Sequence, residues 1–134
     1  MLYGAIIGDI VGSVYEFRNL RSKKFPFFAK NGFITDDSCM TIALASAIKQ
    51  WKEKGGDLSQ IAADSMRLIG KRYPDKGYGG MFFAWLNDPT MGPYNSWGNG
   101  AAMRISAAGY LAESITEVKR LSYMVTSVTH DHIE

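Results

Sequence analysis

Cysteine is nearly missing from this chain. Cys39 is the single one among 134 residues, so no internal disulfide can form. That suits a reducing compartment, and a cytoplasmic location is the expectation. Cys39 lies inside an apolar helical pattern and reads as a small buried residue. His130 and His132 are the only histidines, and nothing in the sequence sets a base beside Cys39 for nucleophilic work. Charge of either sign is also modest. Charged residues make up 21% and the formal net charge is +2, too little to argue for nucleic acid. The densest basic run, Arg21-Ser22-Lys23-Lys24, reads as a solvated loop. No apolar run is long enough to span a bilayer. Met1-Leu2-Tyr3-Gly4 carries no basic leader and Asp9 interrupts the apolar stretch, so neither a signal peptide nor a membrane partner is expected. Internal repeats and low-complexity segments are absent as well.

What is present is an ordinary globular composition, 46% hydrophobic, in a length that fits one domain, residues 1–134. Such a chain buries roughly two-thirds of its unfolded surface. No stretch keeps a period of two, so the expected class is all-α. Gly4, Gly8 and Gly12 are four apart; on a helix over 2–14 they share a face that admits close packing in the core. Their spacing is not that of a dinucleotide fingerprint. Pro26 and Gly32 break residues 17–34 into a loop. Met40, Leu44, Ile48 and Trp51 then repeat at helical spacing until Gly55-Gly56. Asp57 caps the next helix, with Gln60 as a capping-box partner. Its predicted apolar face is Leu58, Ile61, Ala62, Ser65, Leu68 and Ile69, ending before Pro74. A short helix is expected at Met81–Leu86 and another over 101–112. Ser114-Ile115-Thr116-Glu117 opens a last helix with Val118, Leu121, Val125 and Val128 on its apolar face. Residues 87–100 form a long irregular segment, uncommon in compact domains unless functional.

Four groups of residues carry chemistry. In Thr35-Asp36-Asp37-Ser38, an N-cap accounts for one carboxylate. Two in succession repel unless a cation or a helix dipole offsets them. Hydroxyl and carboxylate oxygens suit Mg²⁺ or Ca²⁺ and not zinc. The run Asn95 to Arg104 is rich in small residues at a helix start, fitting either a phosphate or ribose cradle or an ordinary turn. Arg104 suits a phosphate or a buried acid. In Thr129-His130-Asp131-His132 no further His or Cys completes a zinc set, so a histidine bonding backbone or substrate is the better reading. Asp9 and Glu16 either reach a site or cap and pair.

Taken in order, Gly8-Asp9-x-x-Gly12-Ser13-x-x-Glu16-Phe17, Thr35-Asp36-Asp37-Ser38, Gly98-Asn99-Gly100-Ala101-Ala102-Met103-Arg104 and Thr129-His130-x-His132 resemble the ADP-ribosylglycohydrolase family. These are all-helical, magnesium-dependent hydrolases of the dinitrogenase-reductase-activating-glycohydrolase type. The resemblance implies an orthogonal helical bundle and two Mg²⁺ ions, sometimes Mn²⁺, with Thr35, Asp36 and Asp37 as one set of ligands. It implies that Gly98, Asn99, Gly100 and Met103 line an ADP-ribose pocket. Glu16, Asp36 and Asp37 become the catalytic candidates. His130 faces the substrate, with His132 a near competitor. The implied reaction is hydrolysis at the anomeric carbon of ADP-ribose, on an ADP-ribosylated protein or a small ADP-ribose compound, with metal-bound water.

The chain departs from the family pattern at Ser106-Ala107, where Ser-Pro is usual, and at His132-Ile133-Glu134, where His-Pro-Glu is usual. The family's second metal run, Asp-x-Asp-Thr/Ser, has no counterpart, so the resemblance covers the N-terminal half and the bundle reads as truncated. The expectations that follow are weak metal affinity, little or no turnover by this chain alone, and exposed apolar faces. Such faces favour self-association or a separate C-terminal half.

Overall fold

The computed structural model describes residues 2–132. Among them the chain is all-helical, with seven segments: α1 Tyr3–Gly12, α2 Asp36–Lys54, α3 Leu58–Arg72, α4 Gly80–Asn87, α5 Gly100–Arg104, α6 Ser106–Leu111 and α7 Ile115–Thr126. No helix is long and apolar enough to cross a membrane. The departure at Ile133-Glu134 lies outside the described residues.

Helix α2 is the centre of the molecule, touching α1, α3, α5 and α6. Its Met40, Leu44 and Ile48 are fully buried, as the helical spacing required, and Cys39 is buried beside them. The chain reverses into α3 at Gly55 and Gly56, both at positive φ, where a side chain would strain the backbone. Helix α3 packs along α2 with Leu58, Ala62 and Met66 buried. Leu68, expected on that face, is 69% exposed, and Met66 takes its place. The expected stripe was wider than the surface that α2 and α7 cover. Gly70 allows α4 its close approach, since a Cβ there would meet the Leu86 side chain at 2.6 Å.

The cap signals hold in part. The Asp57 side chain accepts from the Ser59 and Gln60 amides, but the Gln60 amide group turns to Asp64 at 2.9 Å, so no reciprocal box closes. At α7, Ser114 accepts from Glu117 N at 3.1 Å and the Glu117 carboxylate returns to Glu113 N at 2.7 Å. The single helix expected over 101–112 breaks at Ile105. There the backbone bonds tighten to a three-residue span, Ile105 N to Ala102 O and Ala108 N to Ile105 O.

Helix α1 corrects the largest expectation. It carries no buried residue. A Cβ on Gly4, Gly8 or Gly12 would meet nothing within 4 Å. Instead of packing in the core, Gly8 and Gly12 border the acidic cavity described below. The exposed apolar surface anticipated above is present: Tyr3, Ile7, Phe17, Phe27, Phe28 and Trp97 all stand out from the body.

These burial differences predict a stability contrast. Leu44→Ala should lower the unfolding free energy by about 2–5 kcal/mol in urea titrations. Leu68→Ala should change it by no more than about 0.5 kcal/mol.

Candidate active site

The site begins at Asp9, on the last turn of α1. Its carboxylate accepts from Thr35 N at 2.8 Å, Thr35 Oγ1 at 2.6 Å, Ser38 N at 3.1 Å and Ser38 Oγ. Asp9 therefore caps and pairs, and its partners are the first turn of α2. Ser13 completes the junction, donating to Ile10 O and accepting from Phe33 N. The N-cap of α2 is Thr35, whose hydroxyl accepts from Asp37 N at 3.3 Å. Neither aspartate is consumed as the cap. Both lie in the first helical turn, near the positive end of the helix dipole.

Asp36 and Asp37 border a cavity of about 500 Å³ together with Asp9, Glu16 and Thr35. The turn at Gly77 closes in on Asp36: the Asp36 amide donates to Lys76 O at 2.8 Å, and Gly77 has φ +89°. Burial, and then the neighbouring Asp37 carboxylate, push Asp36 up to about 6. Burial, Asp9 and Glu16 raise Asp37 as well. Four carboxylates, those of Asp9, Glu16, Asp36 and Asp37, thus gather at this cavity.

A second cavity of about 340 Å³ continues from the first. Asp36, Gly79, Asn99 and Met103 border both. Gly98, Gly100 and His130 line the second, so the structure gathers every residue predicted for a ligand pocket on one wall. His130 is the histidine of this cleft. His132 lies instead beside Trp97, with ring centroids 6.2 Å apart, and is not on the cleft wall. His130 Nε2 is 3.1 Å from Ser96 Oγ and its Nδ1 2.8 Å from Thr129 Oγ1. Burial and Arg104 lower its pKa, against the Gly98 carbonyl and Asp131. Arg104 is 1% exposed and donates to Thr129 Oγ1 at 2.6 Å. Among the described residues no carboxylate pairs with it.

Sequence reasoning did not find Tyr94 or Gly79 as cleft residues, because nothing in the pattern of 74–94 separates them from turn residues; Ser96 lies within the Asn95 to Arg104 run it offered as a cradle. Cys39 is no nucleophile: burial raises its thiol.

The residues 1–134 match the family model for ADP-ribosylglycohydrolase. The chain belongs to the ADP-ribosylglycohydrolase family. Similar proteins include the ADP-ribosylhydrolase ARH3 of Mus musculus, 28% identical over 159 residues, and that of Homo sapiens, 28% identical over 160 residues. Each alignment covers 96% of this chain but 42% of the mouse protein and 43% of the human one. The chain thus corresponds to an N-terminal fragment, spanning under half the length of these relatives, and the all-helical architecture is the one the family resemblance implied.

An oxygen-only cation site is what Asp36 and Asp37 suit, since no histidine or cysteine lines their cavity. Among the described residues, however, no three His, Cys, Asp or Glu side chains converge closely enough to hold a metal. One or two carboxylates plus water would suit a partly hydrated hard cation. Thr35 Oγ1 donates to Asp9 and accepts from Asp37 N, so one lone pair is left for an ion.

Two predictions follow from this geometry. Removing the Asp9 carboxylate strands the donors of Thr35 and Ser38, so Asp9→Ala should cost about 1–3 kcal/mol or more in urea unfolding, while Glu16→Ala should be near neutral. For Asp36 the folded pKa lies above the ordinary carboxylate value, so its charged form disfavours folding. That penalty is complete above about pH 6 and fades as pH falls from 6 towards 4. Without divalent cations, Asp36→Asn should therefore raise the urea midpoint at pH 7.5 more than at pH 4.5.

Proposed function

We propose that this chain supplies the ADP-ribose-binding wall and half of the cation site of a magnesium-dependent ADP-ribosyl hydrolase. One observation carries this reading: the acidic cavity at Asp36-Asp37 and the Gly98-Gly100-His130 cavity are joined along Asp36, Asn99 and Met103. A ligand lying in the second cavity presents one end to the carboxylates.

Within that reading, Asp36 and Asp37 hold the ion, with Thr35 contributing its remaining lone pair. A bound Mg²⁺ supplies charge stabilisation and a water of lowered pKa. The chain's own residues do the rest. Asp9 fixes the α2 terminus so that both aspartates face the cavity. Glu16, exposed on the cavity rim, is the candidate for proton transfer. Asn99, Gly98 and Gly100 bring backbone and amide groups against the ligand, with Met103 beneath. His130 meets the ligand from the lining of the second cavity. Glycosidic hydrolysis at the anomeric carbon of ADP-ribose is the reaction this order of groups supports. ADP-ribosylated protein or a small ADP-ribose compound is the substrate class.

Two carboxylates hold one hydrated ion weakly and leave a second ion without ligands. The isolated chain is therefore a binding module with little turnover. The exposed apolar surface around Tyr3, Ile7 and Phe17 fits a second copy or a separate chain carrying the remaining half. The single buried thiol fits a cytoplasmic setting.

Calorimetry should detect ADP-ribose binding that weakens at least tenfold in Asn99→Ala and strengthens when Mg²⁺ is added. Release of ADP-ribose from an ADP-ribosylated peptide should stay at background. Turnover equal to that of a full-length relative would contradict the half-site, and no ADP-ribose binding at millimolar ligand would contradict the pocket.

A further inference from the structure

We propose that Arg104 is a positioning residue: acting through the Thr129 hydroxyl, it holds His130 as a neutral ring that presents an N–H to the cleft wall at Ser96.

The argument is one of hydrogen-bond direction. Arg104 is 1% exposed, its Nε has no hydrogen-bond partner, and the Phe82 ring lies 5.6 Å away. A guanidinium only donates. Thr129 Oγ1, 2.6 Å from Arg104 Nη2, must therefore accept from it and give its own hydrogen elsewhere. Two acceptors are near. Thr126 O lies at 3.4 Å and already takes the amides of Thr129 and His130, at 3.1 and 2.9 Å. Its two lone pairs are occupied. His130 Nδ1 lies at 2.8 Å. The hydroxyl donates to Nδ1, so the neutral ring carries its hydrogen on Nε2.

Nε2 is 3.1 Å from Ser96 Oγ, which also faces the Gly98 amide at 3.4 Å. A second sign agrees: the Gly98 carbonyl also faces the ring as an acceptor. With its oxygen supplied by donors, the Ser96 hydroxyl points its own hydrogen onward, towards Tyr94 and the cleft. The buried charge is thus transmitted as a row of donors, which suits an acceptor-rich group such as a phosphate. That ligand assignment rests on the proposed function; the ring's protonation does not.

The charged and titratable groups facing His130 are Arg104 from α5, Asp131 on its own segment and Tyr94 from the loop before α5. Arg104 opposes a charge on the ring and Asp131 favours one.

Long-range ¹H–¹⁵N spectra of the ligand-free 134-residue chain test this, with His132→Gln used to assign the two rings. At neutral pH, His130 should show a protonated Nε2 and a bare Nδ1. In Arg104→Met or in Thr129→Val, the ring should gain its charge at a pH about one unit higher than in the wild type. Thr129→Ser, which keeps the hydroxyl, should titrate as the wild type does. A proton on Nδ1 in the wild type overturns the proposal. So does an unchanged titration in either variant that melts cooperatively, and two variants are used because either one may fail to fold. No ligand enters the measurement, so absence of ADP-ribose binding would sink the functional reading and leave this one standing.

Discussion

The grip of Asp9 on the first turn of α2 is the constraint on which the rest of the site depends. One carboxylate receives two amides and two hydroxyls from Thr35 and Ser38. Helix α1 has no buried residue and touches little but α2. The Asp9 hydrogen bonds are therefore a main tie between it and the body. A charged acceptor with several donors is among the stronger hydrogen-bonding arrangements available to a protein. Its effect is directional. With Thr35 as cap and Ser38 tied down, Asp36 and Asp37 are left facing the cavity.

The cleft is electrostatically divided. Acidic groups collect at one end, where burial and mutual repulsion raise Asp36. At the other end a buried guanidinium has no carboxylate partner among the described residues, and burial lowers it to about 10. Each arrangement costs stability in the free protein. Under the proposed function, a ligand that brings a cation to the first end and acceptor oxygens to the second would relieve both.

Much of this was legible in the residues, for identifiable reasons. Helical spacing found α2 because Met40, Leu44 and Ile48 are enclosed by α1, α3, α5 and α6. The four motifs were legible because each places its chemistry within a few residues. What depended on tertiary context was not. Glycine spacing on α1 read as core packing, yet no neighbour reaches that face among the described residues. Leu68 matched the apolar period but lies past the edge of the covered surface. A cap was the reading for one of the two aspartates, yet the true cap, Thr35, is one residue earlier and is itself fixed by Asp9, 26 positions away. The Arg104–Thr129–His130 chain joins residues 25 apart, and no local pattern reveals it.

The central claim is that cation half-site and ligand wall form one cleft. Amide spectra of the chain titrated with Mn²⁺, and separately with ADP-ribose, test it most directly. Paramagnetic broadening should fall on Asp36, Asp37 and Gly77, ligand-induced shifts on Gly98 and Gly100, and both on Asn99 and Met103. Loss of the broadening in Asp36→Asn would agree. Two responding sets with no residue in common, or no broadening at Asp36 and Asp37, would contradict the account.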